Sequence, residues 1–285
     1  YRLGCGGMTG GNTAQRPVLK YTGSKWRMAD WIISYFPEHY EKLVYLEPFS
    51  GSSAVFFRKR PSAVETINDL DGDVVNLFCV LRDQPEELKR QLELTPYSRE
   101  EYDLSFEPCK DTLEQARRYM VRTTQAIGAK LNGKCGWRNH KQMRIGGTAC
   151  KWAGITDTID AAAARLRGST TNLVQIEHID ALRLIERYDN KDVLMYLDPP
   201  YMLNTRKSGK LYRHEMDNAA HIRLLELITR SKARIVLSGY RSELYDNALQ
   251  GWHRFTTMSQ TTSAAMAEET IWINYDPPLE QMTIM

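Results

Sequence analysis

Residues 193–201 read VLMYLDPPY, an apolar run that ends in an aspartate, two prolines and a tyrosine. A short apolar run is typical of a buried parallel strand, and ligands bind at the carboxyl ends of such strands. Each proline fixes φ and removes an N–H donor, so the turn is stiff. Asp198, the Pro199 carbonyl and the Tyr201 ring therefore suit a planar amine. The alternative is a strand end with a Pro-Pro turn and a packing tyrosine.

The bulk properties favour one α/β domain with an insertion. The chain has 285 residues, of which 42% are hydrophobic and 26% are charged. We expect no membrane span, since no apolar run reaches roughly 18 residues, and no secretory signal. Without a C-x-x-C pair, we also expect no metal site, no disulfide framework and a cytoplasmic location. The five scattered cysteines are Cys5, Cys79, Cys109, Cys135 and Cys150.

The N-terminal region divides into a tail and a possible ligand motif. Residues 1–16 are Gly-rich and without periodicity, which predicts a disordered tail. The sequence KYTGSK at 20–25 precedes helical spacing of apolar residues at 26–36. A helix that begins at Gly23 and Ser24 could hold a carboxylate with its free N–H groups and Lys25. The alternative is an ordinary capped surface helix.

Residues 43–59 predict the first βα unit of a nucleotide-type fold. An apolar strand at 43–47 runs into PFSGSS at 48–53, and a helical stretch follows at 54–59. Small residues in such a turn let the backbone approach a ligand closely. The pattern is not G-x-G-x-x-G, so it does not indicate a dinucleotide or phosphate loop. A tight turn required only by packing is the alternative.

Acidic residues follow several predicted strands. A second strand at 63–67 ends at Asn68 and Asp69, and an acidic residue there can accept both ribose hydroxyls. The alternative is a helix N-cap. Because parallel strands share one carboxyl edge, we expect the strand-end acids to surround one crevice. These are Glu47, Asp69, Asp180 and Asp198. Further strands are predicted at 172–177, 193–197, 234–237, 252–258 and 270–275, and helices at 74–81, 181–188, 221–231 and 242–249.

Residues 85–170 differ in character, with short helical runs and little strand signal. From Arg117 to Lys151 there are nine Lys or Arg and no Asp or Glu. Basic residues mixed with aromatic ones are typical of a nucleic-acid contact surface, although a solvated basic face is the alternative. The interleaved aromatic residues are Tyr119, Trp137 and Trp152. The DNA-binding candidates are Lys130, Asn132, Lys134, Trp137, Arg138, Lys141 and Arg144.

The joint order of these motifs resembles that of the Dam-type, alpha-group DNA adenine N6-methyltransferases of bacteria and phages. The likeness extends from Lys20 to Tyr275. The matching motifs are KYTGSK at 20–25, EPFSG at 47–51, NDL at 68–70, LDPPY at 197–201, SGY at 238–240 and ETIWINY at 269–275. There are two departures. Ser53 replaces the last glycine of the family's F-x-G-x-G turn, which would tighten the approach to the cofactor, and no GATC-reading hairpin is visible.

This resemblance implies an α/β fold with a Rossmann-like class I methyltransferase sheet and a final antiparallel strand. A mostly helical target-recognition domain (85–170) would interrupt the catalytic domain (17–84 and 171–285). S-adenosylmethionine (SAM) would be the methyl donor, with S-adenosylhomocysteine as product and no metal. Double-stranded DNA would be the partner of a monomer, or of a weak dimer. Such enzymes act in the cytoplasm of bacterial or phage-infected cells, at the nucleoid, with or without a restriction partner.

The resemblance also implies roles for individual residues. Tyr21 and Lys25 would contact the methionine end of SAM, and residues 49–53 would line its turn. Asp69 would bind the ribose, and Ile179 and Asp180 would lie by the adenine ring. The whole cofactor set is Tyr21, Lys25, Glu47, Pro48, Phe49, Ser50, Gly51, Ser52, Ser53, Asp69, Ile179 and Asp180. The target base would be held by Asp198, Pro199, Pro200 and Tyr201.

Alternatives from other classes stay open on the sequence. The same chemistry could act on RNA adenine or on the N4 amine of cytosine, although cytosine enzymes more often carry Ser in place of Asp198. A non-catalytic DNA-binding protein could retain the methyltransferase shell. A protein amine methyltransferase is disfavoured, because that class usually carries Asn at this position and lacks a basic insertion.

Overall fold

The computed structural model describes residues 17–128, 133–139, 152–206, 209–260 and 266–278. Its strands form a seven-stranded sheet in the order β3-β2-β1-β4-β5-β7-β6. Strand β7 runs antiparallel to β5 and β6, whereas β1 to β5 are mutually parallel. The predicted Rossmann-like methyltransferase sheet is confirmed. The strands are β1 (Val44–Glu47), β2 (Val64–Asn68), β3 (Leu173–Glu177), β4 (Val193–Leu197), β5 (Arg234–Gly239), β6 (His253–Gln260) and β7 (Met266–Ile273).

Helices connect the strands, and several begin at a capping side chain. Asp71, for example, accepts the backbone N–H of Asp73 at 3.0 Å, which satisfies a free donor of the first turn. Within the described ranges no helix has the length and apolarity to cross a membrane. The helices are Ala29–Ile33, Ala54–Arg58, Gly72–Asp83, Pro85–Leu94, Arg99–Leu104, Thr112–Gln125, Ile159–Arg167, Ala181–Arg187, Asn218–Ile228 and Glu243–Ala248, with 3-10 turns at Tyr40–Lys42, Ile155–Thr158 and Leu203–Thr205.

The segment before β1 corrects one prediction. The helix expected to begin at Gly23 and Ser24 begins only at Ala29. Gly23 adopts φ +76°, in the left-handed region that interrupts a right-handed helix. A Cβ at Gly23 would lie 2.5 Å from the Tyr212 hydroxyl oxygen, so any other residue would be strained and would displace Tyr212. The turn directs Lys25 towards the carboxyl edge of the sheet.

The central strands bury side chains on both faces. Tyr45, Leu194 and Tyr196 belong to the core on one face. Leu46 and Met195 belong to the core on the other, beneath the helices that follow β3 and β4. Alternation of side chains along a strand explains this division. The sheet is therefore a rigid support for the residues at its carboxyl edge.

The helices between β2 and β3 share the core of the sheet. Leu88, Met120 and Leu166 pack in the same cluster as Phe56 and Leu77. An ion pair reinforces this junction, because Arg165 donates to the buried carboxylate of Glu65 on β2, with Nη2 and Oε1 2.8 Å apart. The helical part of the insertion is thus continuous with the catalytic sheet.

Candidate active site

A cavity of about 220 Å³ opens at the carboxyl ends of β1, β2 and β4. It is lined by Glu47, Asp69, Asp180 and Asp198, the four strand-end acids that the sequence predicts to converge. Eight more predicted residues line it: Tyr21, Lys25, Pro48, Phe49, Ser50, Gly51, Ser52 and Pro200. Four other predicted site residues are not part of the described cavity wall: Ser53, Ile179, Pro199 and Tyr201.

The turn after β1 is shaped by Gly51 and Asp69. Gly51 has φ +46°, and a Cβ there would lie 2.8 Å from the Tyr21 ring. Its N–H donates to Oδ2 of Asp69 at 2.8 Å, while Oδ1 accepts the N–H of Asp71 at 2.8 Å. Burial raises the pKa of Asp69 to about 6. Asp69 therefore holds the turn and still presents a carboxylate to the cavity.

Asn68 joins the ends of three strands, a role that the sequence analysis missed. Its Nδ2 donates to the carbonyls of Pro48 at 2.9 Å and Ile179 at 3.1 Å, and its Oδ1 accepts the Ile179 N–H at 2.9 Å. This explains the position of Ile179 outside the cavity wall. The next residue, Asp180, caps a helix by accepting the N–H of Arg183 and lines the cavity. In the sequence, a polar residue at the end of the predicted second strand is the feature that could have indicated this role of Asn68.

Ser53 occupies an unusual backbone conformation. Its φ of +50° lies in the left-handed region, and its side chain is buried. The Oγ atom has no hydrogen-bond partner among the described residues. The replacement of the family's glycine therefore affects the backbone before helix Ala54–Arg58, and Ser53 does not border the cavity.

Glu47 is a buried carboxyl group at the end of β1. Its Oε2 accepts the Tyr45 hydroxyl at 2.7 Å and the backbone N–H of Phe56 at 3.1 Å. Burial raises the pKa of Glu47 to about 8. The protonated form of Glu47 therefore predominates at neutral pH.

Asp198 combines one paired and one unpaired oxygen. Lys25 Nζ donates to Oδ2 at 2.9 Å and to the Gly23 carbonyl at 2.8 Å. The Oδ1 atom is buried and lacks a hydrogen-bond partner within the described part of the chain. Burial raises the pKa of Asp198, although the Lys25 charge opposes this. Burial alone would lower the pKa of Lys25, but the charges of Asp198 and Glu269 raise it.

Tyr201 lies beside this pair with its ring fixed at several points. Lys25 Nζ is 4.8 Å from the Tyr201 ring centroid. The Tyr201 hydroxyl donates to Oε2 of Glu269 at 2.8 Å. The rings of Tyr201 and Tyr240 meet edge to face, with centroids 4.6 Å apart. Neither Glu269 nor Tyr240 was among the predicted site residues, although both stand in the quoted C-terminal motifs.

Residues of the loop after Tyr201 cover part of the cavity and belong to its wall. The Tyr212 hydroxyl donates to the Thr22 carbonyl at 3.4 Å. Arg213 donates to Asp71 at 2.8 Å and to Asp73 at 2.7 Å. The run YRHE at 212–215, in which aromatic, basic and acidic residues follow one another, is the sequence feature that could have indicated a place in the site. Lining residues missed by the sequence analysis include Tyr212, Arg213, His214, Glu215, Met216 and Arg223.

The basic stretch is more structural than the sequence suggests. Tyr119 and Trp152 are buried core residues, so the interpretation of these aromatic side chains as surface contacts is wrong. Four of the nine basic residues form ion pairs with acids outside the stretch: Arg117, Arg118, Arg122 and Lys134. Lys130, Asn132, Lys141 and Arg144 lie outside the described residues.

Three DNA-binding candidates lie in described positions near a paired loop. Ala126 and Trp137 form an antiparallel bridge, flanked by hydrogen bonds of Ile127 to Gly136 at 2.7 Å and Arg138 to Gln125 at 2.8 Å. No GATC-reading hairpin is predicted here, because glycines replace the alternation typical of strands. Trp137 and Arg138 take part in this pairing, and the Lys134 side chain is 51% exposed.

The chain is similar to proteins of known family. The profile of the D12 class N6 adenine-specific DNA methyltransferases matches residues 21–266. The type II methyltransferase M1.LlaDCHI of Lactococcus lactis subsp. cremoris is 27% identical over 211 residues, which are 70% of this chain and 71% of that protein. A DNA adenine methylase of Haemophilus influenzae is 36% identical over 67 residues, 24% and 22% of the two chains. The rRNA methyltransferase aviRa of Streptomyces viridochromogenes aligns over 93% of this chain and 92% of its own, with 12% identity and a TM-score of 0.36.

The family match includes every element of the cavity wall, from the Tyr21–Lys25 segment to the strand-end acids and Asp198. It also includes the helical insertion between β2 and β3. The chain therefore belongs to the D12 class N6 adenine-specific DNA methyltransferases, SAM-dependent enzymes that methylate the N6 amine of adenine in DNA.

Proposed function

We propose that this enzyme methylates adenine within a specific sequence of double-stranded DNA, and that Asp198 to Tyr201 receive the target base outside the helix. One observation carries the proposal: Asp198 lines the cavity, and its Oδ1 atom is a buried acceptor without a partner in the described structure. Buried acceptors are costly unless they are satisfied. An amine N–H of the incoming base would satisfy this one.

The cavity suits SAM. The sheet edge brings acidic groups and a small-residue turn together, and Gly51 leaves no room for a side chain against Tyr21. We assign Tyr21 and Lys25 to the methionine end and Asp69 to the ribose hydroxyls. Asp180 would flank the adenine ring, and Ile179, whose backbone is bound by Asn68, would support the position of Asp180. The bound group supplies an electrophilic methyl on a sulfonium sulfur.

The residues that hold the target adenine would activate its N6 amine, which is a poor nucleophile. Extrusion of a base costs a few kcal/mol, which stacking on Tyr201 and edge contacts would offset. Asp198 and the Pro199 carbonyl would accept the two N–H bonds of the amine and draw its nitrogen towards tetrahedral geometry. Because burial raises the pKa of Asp198, its carboxylate is a suitable acceptor for the proton that the amine loses. Positioning supplies much of the acceleration.

We further propose that residues 85–170 read the DNA, and that 17–84 and 171–285 form the catalytic domain. The DNA contacts would come from Lys130, Asn132, Lys134, Trp137, Arg138, Lys141 and Arg144. Support comes from the antiparallel bridge between Ala126 and Trp137. It also comes from the ion pair of Arg122 with Asp73, because Arg213 of the cavity wall pairs with the same carboxylate. We propose a monomer that acts on DNA inside a bacterial or phage-infected cell.

The test is methyl transfer from labelled SAM to unmethylated genomic DNA, followed by sequencing that detects N6-methyladenine. We expect methylated adenines in one short motif. Methylation of adenines in every sequence context would contradict recognition of a specific sequence. Methyl transfer to RNA alone would contradict DNA as the substrate.

The role of Asp198 is tested by Asp198→Ala, which we expect to lose turnover while its SAM affinity in calorimetry persists. Glu186→Ala, an exposed carboxylate on helix Ala181–Arg187, is the matched control and should keep turnover. Full activity of Asp198→Ala would reject the assignment.

A further inference from the structure

Glu269 is a buried carboxylate in the middle of β7 (Met266–Ile273). Its exposed fraction is 8%, whereas the preceding Glu268 is exposed. Side chains alternate across a strand, so the two carboxylates face opposite sides of β7. Burial of a carboxylate costs free energy unless the group is paired and hydrogen-bonded. The groups that form hydrogen bonds with Glu269 therefore indicate its role.

The main partner is Tyr201. Its hydroxyl donates to Oε2 of Glu269 at 2.8 Å, and its carbonyl accepts Nε of Arg206 at 2.6 Å. A tyrosine side chain has two χ angles. With the backbone held at one end and the hydroxyl at the other, the direction of the long axis of the ring is fixed, and the edge-to-face contact with Tyr240 limits its rotation about that axis. Glu269 and Arg206 therefore help to set the orientation of the proposed stacking surface.

The surroundings of Glu269 belong to the same site. Tyr240 packs edge to face against Tyr201, with an interplanar angle of 67°. Burial raises the pKa of Glu269, while the Lys25 charge and hydrogen bonds from Tyr201 and Tyr240 oppose this effect. One carboxylate thus connects the two aromatic rings and faces the cation that pairs with Asp198.

We propose that Glu269 is a positioning residue of the methylation reaction: through its hydrogen bond to Tyr201 it holds the ring at the angle needed to receive the extruded adenine. It does not touch the reacting atoms. The inference rests on the proposed role of Tyr201, and it adds a residue on a distant strand to the target-base site. Glu269 is thus expected to affect base capture and turnover, and not SAM binding.

The experiment compares variants of the full chain in methyl transfer to genomic DNA. We expect Glu269→Ala to lower kcat at least about tenfold, the lower range for loss of a hydrogen bond to a charged group. Glu269→Gln keeps an acceptor oxygen and should recover most of this loss. SAM affinity, measured by calorimetry, should be unchanged in both. Glu268→Ala removes the neighbouring exposed carboxylate and should leave kcat unchanged.

Tyr201→Phe tests the same hydrogen bond from the other side and keeps the ring. We expect a loss similar to that of Glu269→Ala, and no further loss in the double variant, because both changes remove one interaction. A duplex with 2-aminopurine at the target adenine of the sequenced motif reports extrusion by its fluorescence. Its increase on binding should be altered in Glu269→Ala and restored in Glu269→Gln.

The outcomes separate this inference from the function on which it rests. If the unmodified chain leaves DNA unmethylated, both fail. If it methylates DNA but Glu269→Ala keeps its kcat, or the losses of Glu269→Ala and Tyr201→Phe multiply in the double variant, the inference alone is overturned. Loss of SAM affinity or of folding in Glu269→Ala, with Tyr201→Phe fully active, would also overturn it.

Discussion

Lys25 Nζ lies 2.9 Å from Oδ2 of Asp198, although 173 residues separate the two in sequence. The ammonium also lies over the Tyr201 ring, at 4.8 Å from its centroid. It therefore lies between the Oδ2 atom of Asp198 and the proposed stacking surface, and leaves Oδ1 as the acceptor for an incoming amine. The pair links the Tyr21–Lys25 segment, to which we assign cofactor binding, to the proposed target-base site.

The first prediction follows from the charge of Lys25. Its ammonium opposes the effect of burial on Asp198, so Lys25→Met should raise the pKa of Asp198 further. Less carboxylate is then present at a given pH, and the acidic limb of the kcat profile should move to higher pH. On that limb, activity at a fixed pH falls about tenfold for each whole pH unit by which the limb moves. The measurement is kcat as a function of pH.

The control for this profile is Lys232→Met, which removes an exposed charge before β5. Its acidic limb should coincide with that of the unmodified chain. An unmoved limb in Lys25→Met would mean that the ion pair does not govern the ionisation of Asp198 during turnover.

The sequence predicts the architecture well, for physical reasons that particular residues illustrate. Strand ends are marked by acidic residues, and a parallel sheet collects them at one edge, as Glu47, Asp69 and Asp198 show. In contrast, the ion pair between Arg213 and Asp73 depends on the path of a loop across the cavity. Burial of Trp152 likewise depends on the packing of insertion helices, which amino-acid composition does not specify.

The second prediction concerns backbone strain at Ser53. A non-glycine residue at φ +50° costs about 1 kcal/mol, and its buried hydroxyl lacks a partner among the described residues. Ser53→Gly should therefore raise the free energy of unfolding by about 1 kcal/mol. Urea denaturation should show a higher midpoint at an unchanged m value.

Ser52→Gly is the matched control in the same turn. The Ser52 hydroxyl donates to Ser24 at 2.8 Å, and its removal should destabilise the chain. A lower midpoint in Ser53→Gly, similar to that of Ser52→Gly, would show that the strain at residue 53 is offset by packing of its side chain.

The third prediction concerns stability and pH. Burial raises the pKa of Glu47 to about 8, above its value of about 4.3 in an unfolded chain. Between these values the unfolded state binds fewer protons, so the stability contributed by protonated Glu47 is complete below pH 4.3 and is lost as pH rises towards 8. Glu47→Gln should make the pH dependence of the unfolding free energy less steep, by up to about 1.4 kcal/mol per pH unit.

Chemical denaturation at a series of pH values measures this slope. Glu226→Gln changes an exposed carboxyl on helix Asn218–Ile228 and should retain the slope of the unmodified chain. Equal slopes for Glu47→Gln and the unmodified chain would contradict a raised pKa at Glu47.

The fourth prediction concerns the loop that covers the cavity. Arg213 connects this loop to Asp71 and Asp73, and Arg122 of the insertion pairs with the same Asp73. Arg213→Met should loosen the loop and weaken SAM binding by about 1 kcal/mol, or about fivefold, a modest value because Arg213 is 42% exposed. Calorimetry and the dissociation rate of SAM measure this effect.

Arg230→Met, at an exposed position after helix Asn218–Ile228, should bind SAM normally. Unchanged affinity and dissociation rate in Arg213→Met would mean that the ion pairs do not hold the loop over the cofactor.

The last prediction tests the DNA surface. Neutralisation of Arg138, Lys141 and Arg144 to Gln should weaken DNA binding and flatten its dependence on salt. If all three contact phosphates, the slope of log K against log salt should fall in magnitude by about 2.7, because each phosphate contact contributes about 0.9. A control triple variant changes Arg187, Arg230 and Lys232, which precede β4 and β5 and therefore lie near the amino ends of the parallel strands. It removes the same charge and should keep the slope. Equal slopes for the two triple variants would place the DNA surface outside the insertion.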